Sequence, residues 1–235
     1  KKIAISKTFD NATSCSSENS VIAIEEVYEE TIQFLIEEGG LLLNEDEAER
    51  LIDIHWKNGK MTTDLLAQDI DVIIERVGLR QRASRDTKFL ILPTNKAGPS
   101  EVVCGEKMSR FLTLYKVKNF SEAIELAIKI QDYQGAGHSL GIHTQNEDRA
   151  HKIAMSAKTC RVIVNQAHCF ATGGFFNNGL PFSLSMGCGS WGGNSIDGNL
   201  NWEHFVNKVR VVQTIAENKP DLEEIFGDYW GETSQ

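Results

Sequence analysis

The period of the apolar positions switches repeatedly along this chain, and each switch marks an element. Ser20-Val21-Ile22-Ala23-Ile24 is a short β-branched run that predicts a strand. Within Glu26–Glu38, Val27, Ile32, Leu35 and Ile36 recur at helical spacing, and Gly39-Gly40 supplies the stop. Leu41–Leu43 predicts a strand. Asn44 then predicts the cap of a helix through Trp56, with acids in the first turn as the helix dipole favours. Thr63 to Val77 reads as a helix ending at Gly78, Lys88–Leu92 as a buried strand closed by Pro93, and Thr94–Ser100 as a loop. Arg110–Val117 alternates as a strand does, and Ser121 is placed to cap a helix to Tyr133. Ser139–His143, Glu147–Lys158 and Arg161–Val164 repeat strand, helix, strand. Residues 166–199 are rich in Gly, Asn and Ser and have no helical period. A terminal helix from Trp202 and an aromatic, acidic tail ending Phe226-Gly227-Asp228-Tyr229-Trp230 close the chain.

Strand and helix alternating in this way imply an α/β domain with a mostly parallel sheet and helices on both faces. The long glycine-rich run is too long for an idle connection, so a functional loop or a partner contact is expected there. The 235 residues carry 41% hydrophobic and 24% charged positions, the balance of a globular protein with a sizeable core. A formal net charge of −9 argues against nucleic acid or an anionic membrane as the main partner. No apolar stretch is long enough to span a bilayer. Five cysteines, at positions 15, 104, 160, 169 and 188, form neither a CxxC pair nor an even framework, so reduced thiols in the cytoplasm are expected. Lys1–Lys7 resembles the middle of an amphipathic helix with no cap, and the chain is expected to be a fragment of something longer.

Cys15 is the first candidate for chemistry. It sits among hydroxyl and amide groups in Thr13-Ser14-Cys15-Ser16-Ser17-Glu18-Asn19, where a thiolate could be solvated and reached by a substrate. An unremarkable loop cysteine fits the same neighbourhood. Gly135-Ala136-Gly137-His138-Ser139-Leu140-Gly141 superficially matches a dinucleotide-binding loop, but there the strand comes before the glycines and the helix after. Here the order is reversed, and a nucleotide loop is rejected. His138 stays open between a ligand-facing role and a satisfied core histidine. The pair Glu106-Lys107, at the entrance of a strand, reads equally as a solvated turn. His168 and Cys169 could line a pocket or simply pack. The histidines show no metal-ligand spacing, and no metal is expected.

Taken together and in order, four segments resemble one family. They are Ser6-Lys7-Thr8-Phe9-Asp10-Asn11 through Cys15-Ser16-Ser17-Glu18-Asn19-Ser20, Gly105-Glu106-Lys107-Met108, Gly135-Ala136-Gly137-His138, and Leu184-Ser185-Met186-Gly187-Cys188-Gly189-Ser190-Trp191-Gly192-Gly193-Asn194-Ser195. From Ser6 to about Arg210 the chain resembles the C-terminal catalytic half of CoA-acylating aldehyde dehydrogenases. The resemblance implies an aldehyde-dehydrogenase-like catalytic domain over residues 1–200 and a C-terminal helix and tail over residues 201–235 with oligomerisation elements. It implies Cys15 as the nucleophile that forms a thiohemiacetal and then a thioester, with its own N–H as half of an oxyanion hole. It implies His138 near the nucleophile for proton transfer or CoA positioning, and Glu106 on the nicotinamide ribose. It implies NAD or NADP as the cofactor, coenzyme A as the cosubstrate, and a homodimer or dimer of dimers. The cofactor-binding domain of the family lies mainly upstream of the nucleophile, so weak cofactor binding and poor turnover are expected of this chain alone.

The segment Asn165-Gln166-Ala167-His168-Cys169-Phe170-Ala171-Thr172-Gly173-Gly174 is similar to the members acting on sulfoacetaldehyde, as is the Gly227-Asp228-Tyr229-Trp230 tail. Gln166, His168 and Thr172 are then candidate donors to a sulfonate. Succinic semialdehyde and acetaldehyde are the alternative substrates. A hydrolytic aldehyde dehydrogenase is disfavoured by the motifs, and a non-catalytic assembly module is the alternative outside enzymes.

Overall fold

Phe89-Leu90-Ile91-Leu92 contains no polar position, and a strand of that kind must be covered on both faces. The computed structural model, which describes residues 1–232, has this run at the centre of a sheet. It divides into two units, residues 1–201 and residues 202–235. In chain order the first unit contains α1 (Lys2–Thr8), β1 (Ser20–Ile24), α2 (Glu25–Glu37), β2 (Gly40–Leu42), α3 (Glu45–His55), the short hairpin β3 (Trp56–Lys57) and β4 (Lys60–Met61), and α4 (Ile70–Val77). It continues with β5 (Phe89–Pro93), β6 (Phe111–Val117), α5 (Phe120–Tyr133), β7 (Leu140–Ile142), α6 (Glu147–Ser156), β8 (Val162–Val164) and the single turn α7 (His168–Ala171).

The main sheet has the order β1-β6-β5-β2, and all its pairings are parallel. Leu90 and Leu92 point into a core built with Leu51 of α3 and Ile73, Ile74 and Val77 of α4. Phe89 and Ile91 point the other way, against Ala4 of α1 and Leu35 of α2. The period of two along one strand therefore feeds two cores, with helices on both faces. A second, two-stranded parallel sheet pairs β7 with β8 across α6.

Several boundaries differ from the sequence reading for physical reasons. Residues 63–69 are not helical: Leu65 is fully buried, and Ala67 has φ of 56° with its N–H donating to the Met108 carbonyl at 2.8 Å. Tertiary pairing overrides helix propensity there. The cap of α5 is Asn119 rather than Ser121, because the Asn119 side chain accepts from the Glu122 N–H. The glycine-rich run contains α7, a 3-10 turn at Ser190–Gly192 and an antiparallel bridge between Met186 and Asn199. In the second unit no helix runs on from Trp202. A 3-10 turn at Trp202–Phe205 gives way to irregular chain through the β-branched Val209, Val211, Val212 and Ile215, and α8 (Leu222–Glu232) forms where the aromatic tail was expected. The Asp221 carboxylate accepts from the Glu223 N–H at 2.9 Å at its start, a cap the sequence reading missed.

Candidate active site

Three consecutive residues, Asp10, Asn11 and Ala12, take left-handed φ of 46°, 50° and 59°. Such a run is costly for residues with a Cβ and is held by its surroundings. The Asn11 amide donates to the Ala67 carbonyl and to the Asp69 carboxylate at 3.3 and 3.0 Å, and Ala12 is buried. The chain leaves this turn into the loop that carries Cys15, whose thiol is free and exposed. Among the described residues, no protein group accepts the Cys15 N–H, leaving it to an incoming oxygen.

His138 precedes β7 and lies against that thiol: its Nε2 is 3.3 Å from Cys15 Sγ. The other ring nitrogen, Nδ1, is 2.8 Å from the Ser139 hydroxyl, which is itself 2.8 Å from Nε2 of His168 on α7. Burial lowers the pKa of His138, and the Arg161 guanidinium lowers it further. His168 is lowered to about 4, by burial first and then by His138 and His143, and is neutral at physiological pH. Cys15 and His138, widely separated in sequence, are thus brought together in a thiol–imidazole contact, the geometry of an activated nucleophile.

Glycines and one buried arginine hold the histidine loop. A Cβ on Gly137 would lie 2.1 Å from the Cys188 carbonyl oxygen, so only glycine lets this loop cross the Gly187–Ser195 segment. The Arg161 side chain is buried and donates to the carbonyls of His138 and Gly187 at 3.2 and 3.0 Å and to Asn199 Oδ1 at 3.1 Å. The distinctive glycine-rich motif therefore backs the histidine loop rather than forming a phosphate cradle. Sequence reasoning missed Arg161 and Ser139. A hydroxyl beside His138 was a faint signal for Ser139, whereas nothing local marks Arg161.

The remaining candidates are distributed unevenly. Gln166 is half-buried, and its side-chain oxygen accepts from Asn178 at 3.1 Å. Thr172 is fully buried with its hydroxyl donating to the His168 carbonyl, so this side chain braces α7. Glu106 is half-buried beside an open cavity of about 400 Å³ lined by Trp56, Met61, Tyr133 and Gln134. Its neighbour Lys107 is not a solvated turn residue: it is fully buried, and its ammonium donates to the carbonyls of Val103 and Gly105 at 2.8 Å. Burial pushes the Lys107 pKa well down, and Lys7 adds to the shift. The Lys107 N–H donates to Asn19 Oδ1 at 3.0 Å, which ties the Glu106 segment to the strand that follows Cys15.

Behind the Cys15 loop lies a second buried pair. Lys7 is fully buried and lowered to about 7 by burial, against the pull of Glu18 and Glu106. Glu18 is raised to about 7 by burial, which Ser6 and Lys7 oppose only in part; among the described residues neither carboxylate oxygen has a well-formed hydrogen bond.

No protein-family model matches the chain. The chain is 44% identical, over 97% of its length, to the sulfoacetaldehyde dehydrogenase (acylating) of Cupriavidus necator, of which it covers 46%. It is 36% identical, over 96% of its length, to the succinate-semialdehyde dehydrogenase (acetylating) of Clostridium kluyveri, of which it covers 49%. Among solved structures it matches an acetylating aldehyde dehydrogenase from Geobacillus thermoglucosidasius with a TM-score of 0.82 at 31% identity, over 93% of this chain and 48% of that one. The chain spans about half the length of the curated relatives it matches. Fold and sequence together define the class as an aldehyde dehydrogenase domain. Within it, the chain is similar, over nearly its whole length, to about half the length of proteins named as acylating aldehyde dehydrogenases.

Proposed function

We propose that the protein carrying this chain oxidises sulfoacetaldehyde to sulfoacetyl-CoA, with Cys15 as the nucleophile and His138 as its base. The observation that carries the reading is the 3.3 Å contact between Cys15 Sγ and His138 Nε2. His138 Nε2 takes the thiol proton, and the thiolate attacks the aldehyde carbon. The Cys15 N–H is available to the oxygen of the resulting thiohemiacetal. NAD or NADP, when bound, would accept the hydride released from this adduct, and the Glu106 carboxylate, at the rim of its cavity, would hold the hydroxyls of its ribose. The acyl group is then a thioester on Cys15. His138 first releases its proton to solvent; the thiol of coenzyme A then gives its proton to His138 Nε2 and attacks that thioester, and the Cys15 thiolate departs. A thiol suits both halves, since it attacks well near neutral pH and leaves well from a thioester.

The relative named for sulfoacetaldehyde supports the choice of substrate. For the sulfonate, Gln166 offers its amide nitrogen, because Asn178 already occupies its oxygen. His168 and Thr172 act behind it, holding the segment that presents Gln166. In the second unit Trp202, Phe205, Val209 and Val212 are exposed, which supports a role for this unit in packing subunits of a homodimer or dimer of dimers. Five free cysteines agree with a cytoplasmic setting, and among the described residues no helix is long and apolar enough to cross a membrane.

The test is NAD(P)H formation by the full-length protein with sulfoacetaldehyde, succinic semialdehyde and acetaldehyde side by side, with and without coenzyme A. The expected result is CoA-dependent turnover with the highest kcat/KM on sulfoacetaldehyde, lost by about 10⁴-fold in Cys15→Ser. Comparable turnover without coenzyme A overturns the acylating assignment, and a preference for another aldehyde overturns the substrate.

A further inference from the structure

Resting on that reading of Cys15 and His138, we infer that Ser139 and His168 are positioning residues that fix the tautomer of His138 and so set the reactivity of the thiol. The groups form one line: Cys15 Sγ to His138 Nε2 at 3.3 Å, His138 Nδ1 to Ser139 Oγ at 2.8 Å, and Ser139 Oγ to His168 Nε2 at 2.8 Å. A base for the thiol needs a bare lone pair on Nε2, which places the ring proton on Nδ1. That proton is donated to Ser139 Oγ, and the Ser139 hydroxyl in turn donates to His168 Nε2. Each link then has one donor and one acceptor.

When the thiol proton moves to His138 Nε2, the products are a thiolate and an imidazolium. The imidazolium still donates through Nδ1 to Ser139, and Ser139 still donates to His168. His168 stays neutral throughout, because a second buried cation beside the first would be costly. It acts as a fixed acceptor at the end of the line and takes no proton from it. The packing is built around this ring: a Cβ on Gly141 would lie 2.8 Å from His168 Nδ1, so glycine at that position is what admits it. The charged and titratable groups facing the line are Arg161 on the His138 carbonyl, His143 near His168, and Glu18 near the His168 backbone. Arg161 and His143 both disfavour positive charge here, so the imidazolium is held by the Cys15 thiolate against Nε2 and by the hydrogen bond from Nδ1 to Ser139.

This assignment gives the 165–174 segment a second task. His168, within that segment, reaches the nucleophile through three successive contacts, so substrate loop and thiol activation are mechanically joined.

The test is peptide-resolved alkylation of the full-length protein by iodoacetamide from pH 5 to 9, with the other four cysteines as internal controls. Ser139→Ala and His168→Phe are each expected to slow alkylation of Cys15 at pH 7 by about tenfold and to shift its pH profile upward, leaving the other cysteines unchanged. Ser139→Thr and His168→Gln, which keep a hydrogen-bonding group, recover most of the loss. Ser139→Ala added to His138→Ala has no further effect, as expected of groups acting through one ring. If His138→Ala slows Cys15 but Ser139→Ala does not, the line is refuted while the nucleophile reading stands. If Cys15 reacts no faster than the other cysteines and His138→Ala changes nothing, both fall. Should the variants not fold, the ¹⁵N shifts of the His138 ring in the unaltered protein decide: protonated Nδ1 with bare Nε2 is expected, and the opposite tautomer overturns the inference.

Discussion

Cys15 and His138 stood out as candidates in the sequence because their neighbours are unusual, hydroxyl-bearing residues around one and glycines before the other, while their pairing was implied only by the family resemblance. What that reading lacked was partners contributed from elsewhere in the chain. Arg161 reaches four acceptors from just before β8, and Lys7 and Glu18 share one buried space behind the Cys15 loop, yet none of the three has a local signature. Lys107 looked like a surface residue by type and is wholly enclosed. The buried carboxyl of Glu18 has a measurable consequence. Its folded pKa, about 7, lies above the ordinary 4.5, so the folded state binds the extra proton between those values and stability from this group falls as pH rises through that window. Glu18→Gln mimics the protonated form, so its Tm relative to the unaltered chain is expected to climb from pH 4.5 to 7 and then level off. A constant difference across that range would show that Glu18 ionises freely. His55 and His168, both lowered to about 4, act in the opposite sense in both proteins and cancel in the comparison.

At the scale of elements, periodicity located every strand of the main sheet, and the central strands most clearly, since a run buried on both faces has no polar interruption. It failed where the backbone is fixed by distant atoms, as at residues 63–69, and where strands are only two residues long, as in the β3–β4 hairpin. Capping was legible at α3. The Asn44 side chain accepts from the Glu47 N–H at 3.0 Å, and the Glu47 carboxylate accepts from the Asn44 N–H at 2.9 Å. Asn44→Ala is expected to cost about 1 kcal/mol, read as a fall of a few degrees in Tm. Gly137→Ala belongs to a harsher class: at φ of 86° and with the Cys188 carbonyl in the way, it is expected to cost about 3 kcal/mol and to slow Cys15 alkylation by displacing His138. A protein of unchanged Tm and unchanged thiol reactivity would show that the two loops can part without consequence.

For the molecule as a whole, the α/β class followed from the alternation of elements, whereas the second unit was misjudged because, among its described residues, most apolar side chains are left exposed. Val206, Val209, Val211, Val212 and Ile215 are exposed, and β-branched residues without a surface to pack on do not hold a helix. If they pack between subunits, removing residues 202–235 from the full-length protein lowers the oligomer to a smaller species in sedimentation velocity while leaving the fold of the first unit intact. An unchanged sedimentation coefficient, beyond the lost mass, assigns the subunit contact to another surface. The crossing of Gly137 over Cys188 bears on the history of the chain as well as on its stability. Two segments that meet with no room for a methyl group can change only together, so random substitution is filtered out there. Residues 166–184, with Phe176 and Leu184 almost wholly open to solvent, carry no such restriction over most of their length. Substitutions in this loop that leave the crossing and His168 in place are therefore expected to be tolerated by the fold.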